Sequence, residues 1–160
     1  MMEEPVQFGE GGRLFGILTF PIEEESRNDS PVFVFLNAGL LHRAGPHRLH
    51  VRLARKLAAA GMRTLRIDFA GRGDSLPPPT GPDPETVAAD FADIMAFLRS
   101  EFGNVKVVLA GLCSGADNAL RLVAKDHATT GLILLDPVCE QDDGFAARAR
   151  HFSMKALIRK

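Results

Sequence analysis

The sequence predicts an α/β fold: a mostly parallel sheet covered by helices on both faces, preceded by an N-terminal antiparallel hairpin. Three observations carry this expectation. Short runs rich in branched and aromatic residues, Val32–Leu36 and Val105–Ala110, have the unbroken apolar character of strands covered on both sides. The segments between them repeat their apolar residues at helical spacing. The 160 residues, 46% apolar and 24% charged, suit one globular domain with a substantial core.

Taken in order, Val6–Phe8 and Leu14–Phe20 form a β-hairpin across Gly9-Glu10-Gly11-Gly12, closed by Pro21. Glu23–Ser30 is a polar loop. Val32–Leu36 is a strand that breaks at Asn37-Ala38-Gly39. Pro46–Ala60 reads as a helix, with proline in its first turn, Leu49, Leu53 and Leu57 on one stripe, and Gly61 as its stop. Arg63–Asp68 is the next strand. Asp83 caps a helix with Pro84 in its first position, whose buried face is Val87, Phe91, Ile94 and Leu98. Val105–Ala110 returns to strand, and after Gly111–Gly115 a helix begins at once, burying Ala116, Leu120 and Val123. Leu132–Leu135 is the last strand. No internal repeat or low-complexity segment interrupts the pattern.

Composition narrows the chemistry. A net charge of −1 leaves no basic footprint for nucleic acid or an acidic membrane surface. No apolar run approaches a membrane span. Cys113 and Cys139, in a chain without an N-terminal apolar leader, point to a reducing, cytoplasmic setting rather than a disulfide. All 11 aromatic residues are phenylalanine, so tyrosine acids and Trp or Tyr stacking platforms are absent. Catalysis therefore falls to Cys, Ser, His or carboxylates. No spacing among these suits zinc, and neither a metal nor a cofactor is expected.

In sheets of this kind, ligands bind outside the carboxyl ends of the strands. Asn37–Leu40, Asp68–Ser75, Gly111–Gly115 and Asp136 all fall there. The sharpest signal is Gly111-Leu112-Cys113-Ser114-Gly115, a strand turning directly into a helix through small residues: G-x-C-x-G in the position of a nucleophile elbow. A free thiol has a pKa of about 8.5, which a helix N-terminus and a nearby histidine lower, so Cys113 is the expected nucleophile. The competing reading is a small packing residue between glycines that let strand and helix approach. The N–H groups of Ser114 and Leu40 are the expected oxyanion donors, with the Ser114 hydroxyl playing no part. Asp136 is either the acid or the start of the turn before Pro137. Among the histidines, His42 and His47 flank the Asn37–Leu40 loop and are candidate bases or solvated loop residues. His50 sits a turn further into a helix, and His127 lies remote from the elbow.

These residues resemble the α/β-hydrolase family, and the resemblance runs from the leading hairpin to Asp136. Asp68-Phe69-Ala70-Gly71-Arg72-Gly73-Asp74-Ser75 matches its D-x-x-G-x-G-x-S turn, and Leu36-Asn37-Ala38-Gly39-Leu40 stands in its oxyanion-loop position. With His42-Arg43, Gly45-Pro46-His47-Arg48 and Gly111–Ala116, the pattern is similar to serine-aminopeptidase-like bacterial hydrolases, here with cysteine where most members have serine. The resemblance implies a three-layer sandwich that cleaves an ester or thioester bond of a small-molecule acyl substrate through Cys113. Asn37-Ala38 replaces the common His-Gly of the loop. Because the family orders nucleophile, acid, then histidine along the chain, the terminal strands carrying that histidine are expected to be missing, leaving an incomplete or inactive form. Residues 1–140 are then the core. Residues 141–160, with Phe145, Ala149, Phe152 and Ala156 on one stripe, are the start of a lid or amphipathic helix.

Two alternatives come from other classes. Strand, Gly111-x-x-x-Gly115, helix and a strand ending in Asp136 imitate a nucleotide-binding unit, but Cys113 occupies the second glycine of that fingerprint. A non-enzymatic interaction fragment follows from an exposed sheet edge after Leu135, which invites pairing with a second copy. Arg72-Gly73-Asp74-Ser75 spells an adhesion motif in a chain with no sign of secretion.

Overall fold

The structure, a computed structural model, describes residues 1–21, 30–78 and 84–137. Strands β1 (Met2–Phe8) and β2 (Leu14–Phe20) pair antiparallel from Met2↔Phe20 to Phe8↔Leu14. The hairpin starts at Met2 rather than Val6 because β1 is an edge strand. Its polar residues face solvent or ions, so apolar patterning does not reveal it. Glu3 there accepts from Arg55 at 2.8 Å and Arg66 at 3.0 Å. Pro5 is tolerated on such an edge.

β3 (Val32–Phe35), β4 (Thr64–Asp68), β5 (Val107–Leu112) and β6 (Thr129–Leu135) complete a six-stranded sheet ordered β1-β2-β4-β3-β5-β6. β4, β3, β5 and β6 run parallel, and β2 joins β4 antiparallel. Helix α2 (Pro84–Phe102) and helix α3 (Ser114–Leu122) cover one face. There Phe91, Ile94, Met95, Leu98, Ala119 and Leu122 meet Leu14, Leu18, Val34, Ile67 and Leu109. Each fully buried apolar side chain contributes about 1.5–3 kcal/mol. Helix α1 (Leu49–Ala59) covers the other, with Ala54 against Phe35 and Ala110. The architecture is therefore the expected three-layer sandwich behind an antiparallel hairpin.

Arg13, just before β2, clamps this hairpin to α2 through Asp90 at 2.5 Å and Asp93 at 2.9 Å. Asp90 also accepts the Ala70 N–H at 2.8 Å, so the same carboxylate holds the chain leaving β4.

The expected helix over 46–60 is shorter. Pro46–Arg48 forms a single 3₁₀ turn in which His47 and Arg48 take left-handed φ of 47° and 58°, and the α-helix begins at Leu49. Its buried residues are His50, Val51, Ala54 and Ala58, while Leu49, Leu53 and Leu57 are half-buried. Small alanines bring the helix close to the sheet, and the larger leucines flank that contact. Gly61, at φ 82°, ends the helix as read from the sequence. Most of the Glu23–Ser30 loop, the Asp83 cap, Cys139, His151 and the 141–160 segment lie outside the described residues.

Candidate active site

β5 passes into α3 through one residue, Cys113, at φ 54° and ψ −125°. A non-glycine residue held there costs on the order of 1–3 kcal/mol, so its surroundings must impose it. The Cys113 N–H donates to the Leu135 carbonyl at 2.9 Å, and its own carbonyl accepts from Ala116 at 2.8 Å and Asp117 at 3.2 Å. The glycines admit the turn sterically. A Cβ on Gly111 would overlap the Gly115 backbone, and one on Gly115 would lie 2.6 Å from the Asn37 carbonyl oxygen. The Cys113 thiol is free and exposed.

Opposite the turn runs the chain leaving β3. Gly39 donates its N–H to the Ser114 hydroxyl oxygen at 2.8 Å, so that hydroxyl is not incidental, as the sequence suggested: it binds the loop to the start of α3. Leu40 is next and is 89% exposed. Asp136 follows β6 at φ 49°, and the pairing of Leu112 with Leu135 sets it beside Cys113 at the strand ends. The structure thus brings together Cys113, Ser114, Asp136 and the Leu40 loop. It does not bring in the histidines. His42 and His47 are exposed, and His42 Nδ1 accepts the Ala44 N–H at 3.3 Å. Among the described residues, no hydrogen bond or ion pair joins either imidazole to Cys113 or Asp136. His127 lines an open groove with Arg99, Lys106 and Lys125 at the opposite end of the sheet.

Sequence reasoning missed the polar support beneath the loop. The Asp68 carboxylate, fully buried, accepts the Arg43 N–H at 2.6 Å, Arg43 Nη1 at 2.5 Å and Asn37 Nδ2 at 3.0 Å. Asn37 also donates to the Leu41 carbonyl and accepts the Phe69 N–H. Ser75 Oγ donates to the Asp68 carbonyl at 2.6 Å and accepts the Phe15 N–H. The available signal was Gly73, whose φ of 51° and lack of a side chain let the turn close over the Asp68 carboxylate.

His50 lies in a helix, as read from the sequence, but its burial at the start of α1 was not foreseen. It is 2% exposed, its ring lies 5.4 Å from that of Phe35, and Nδ1 has no hydrogen-bond partner. Burial, with the nearby Arg66 cation adding to it, pushes its pKa below 6.5 against a hydrogen bond to the Arg43 backbone. The unfolded chain therefore binds the proton more readily. Stability should be full above about pH 6.5 and decline as the pH falls from there toward the lowered folded value. Thermal unfolding between about pH 7 and about pH 5 should show this slope in the wild type and lose it in His50→Gln. An equal slope in both would assign it elsewhere. Glu3, lowered by its Arg55 hydrogen bond, acts only below its ordinary 4.5. Asp126 is raised by burial but brought down on balance by Arg99 and the Ala128 N–H, and acts below 3.8.

Among the described residues, no group of three or more His, Cys, Asp or Glu stands ready for a metal ion, and no helix is long and apolar enough to cross a membrane.

A family model described as serine aminopeptidase, S33, matches residues 38–159. Human protein ABHD12B is 29% identical over 117 residues, which is 71% of this chain and 31% of that protein. Among solved structures, the Pyrococcus furiosus esterase PF2001 superposes with a TM-score of 0.70 at 17% identity, covering 85% of this chain and 49% of the esterase. An alpha-beta serine hydrolase homologue from Coxiella burnetii gives 0.67 at 20% identity, covering 92% and 67%. A putative hydrolase from Agrobacterium vitis gives 0.65 at 18%, covering 85% and 52%. At such identities these structures speak for the fold. The chain spans about a third of the human relative and about half of two of the three structures.

The comparisons correct one expectation. The matching family is of the serine type, so neither a separate cysteine-elbow branch nor ester or thioester cleavage through a nucleophilic Cys113 is supported. The physical reason lies in the turn. Its shape is set by Gly111, Gly115 and the backbone bonds, not by the side chain at its centre, so the motif's spacing reports the fold rather than the nucleophile. A nucleotide-binding unit gains no support either. With the sheet order, the sharp β5–α3 turn and the match over residues 38–159 in agreement, the chain belongs to the serine aminopeptidase family of α/β-hydrolases.

Proposed function

We propose that this chain forms the oxyanion-binding platform of a serine-type hydrolase acting on ester or thioester bonds of a small-molecule acyl substrate. The carrying observation is the strained turn at 113 facing a loop tied to it through the Gly39–Ser114 hydrogen bond. In this reading, the serine hydroxyl that the family carries at the centre of the turn, where this chain has Cys113, attacks the acyl carbon while the N–H groups of Ser114 and Leu40 receive the developing oxyanion. An imidazole takes the hydroxyl proton and returns it to the leaving alcohol or thiol, and water then releases the acid. Asp136 is the proposed acid, and His42 or His47, exposed and, among the described residues, bonded to neither Cys113 nor Asp136 but close in sequence to the Leu40 loop, the proposed base.

Turnover of p-nitrophenyl acetate and covalent labelling by a fluorophosphonate test the proposal on the wild type and on Cys113→Ser, which places the family's hydroxyl at the centre of the turn. Cys113→Ser should gain at least about tenfold in turnover over the wild type and should take up the phosphonate. Asp136→Asn in that background should lose about 10²-fold or more of the gain. A folded Cys113→Ser protein that neither turns over nor labels would overturn the reading.

A further inference from the structure

The loop from Asn37 to Arg43 is held by one carboxylate at both of its ends. At its start, Asn37 Nδ2 donates to Asp68 Oδ1 at 3.0 Å. At its end, Arg43 donates its backbone N–H to the same oxygen at 2.6 Å and its Nη1 to Oδ2 at 2.5 Å. The guanidinium has two further contacts: Nη2 lies 2.6 Å from Asp74, and its carbon lies 4.3 Å from the centroid of the Phe15 ring. Between these ends Ala38 is buried, Gly39 is bonded to Ser114 and the Leu41 N–H to the Ala38 carbonyl at 3.0 Å, while the Leu40 and Leu41 side chains, 89% and 47% exposed, add little packing. A fully buried carboxylate needs both a countercharge and filled acceptor sites, and Arg43 supplies each.

We propose that Arg43 is a positioning residue: by fixing the end of the 37–43 loop on Asp68, the carboxylate that also holds its start through Asn37, it keeps the Leu40 amide in place over the start of α3 before substrate arrives. The catalytic side of this rests on the acyl-hydrolase reading above. The positioning side does not. An oxyanion hole acts through donors already in place, so a loop released from Asp68 loses transition-state binding while ground-state binding of the acyl group changes little.

Hydrogen exchange read by mass spectrometry, together with ester kinetics in the Cys113→Ser background, tests this. In Arg43→Met, exchange across residues 37–43 should quicken about tenfold or more while peptides from β5 keep their protection. kcat should fall about tenfold with KM changed less than about twofold. Arg43→Lys keeps a cation at Asp68 but loses the fork and should recover part of both, and it carries the comparison alone should Arg43→Met fail to fold. Unchanged exchange over 37–43 would overturn the inference. So would equal loosening of the loop and β5, which would make Arg43 a residue of the fold as a whole. If the parent shows no ester turnover, the functional reading fails while the exchange comparison still decides the role of Arg43.

Discussion

Gly115→Ala is expected to lose roughly 3 kcal/mol or more of folding stability, a large share of the about 5–15 kcal/mol of an ordinary domain. The added Cβ would sit 2.6 Å from the Asn37 carbonyl oxygen and 3.0 Å from that of Leu36. Both are backbone atoms at the end of β3, and the Leu36 N–H is bonded to Ala110 at 2.9 Å, so neither can rotate away. Relief requires moving α3 off the sheet, which pulls Ser114 from Gly39. Gly131→Ala is the control. Within β6, its Cβ meets only the Val108 side chain at 3.2 Å, and a cost under about 1 kcal/mol is expected. Urea unfolding midpoints would compare the two, and similar midpoints would contradict the close approach at Gly115.

Asp68→Asn should cost about 3 kcal/mol, the usual penalty for breaking a buried ion pair from one side. The amide keeps the shape of the carboxylate but not its charge, leaving the Arg43 guanidinium partly buried with Asp74 alone, and one acceptor oxygen becomes an amide donor facing N–H groups. Because the pair is shielded from solvent, the loss should persist in high salt. Truncating Arg55, which is 43% exposed in its pair with Glu3, should cost no more than about 1 kcal/mol and fade as salt rises. A midpoint for Asp68→Asn within error of the wild type would show that the network is dispensable.

Most strands were legible because covered parallel strands are continuous apolar runs, and α2 because Phe91, Ile94 and Leu98 repeat at helical spacing. The start of α1 was not legible. Proline after Gly45 reads as a helix start, whereas two left-handed residues intervene, a backbone feature without a signature in residue type. At the candidate site, glycine spacing revealed the turn and the strand ends revealed its neighbours. The Asp68 network stayed hidden because Asp68 lies 31 residues from Asn37 and 25 from Arg43, and each alone is an ordinary polar residue. The burial of His50 stayed hidden for the same reason: the Phe35 ring it packs against reaches it only through the docking of α1 on the sheet.

The Gly39–Ser114 bond also bears on the order in which the chain can assemble, because it joins positions 75 residues apart. β3 enters the sheet between β4 and β5, both of which follow it in the chain. On a ribosome, the 37–43 loop can be anchored to Asp68 once β4 has emerged, but its contact with α3 must wait for β5 and the turn. Such long closures slow folding and leave strand edges open in the interval. The close approach of Gly115 to the Leu36 and Asn37 carbonyls is therefore a contact the chain can complete only after β5 has joined the sheet.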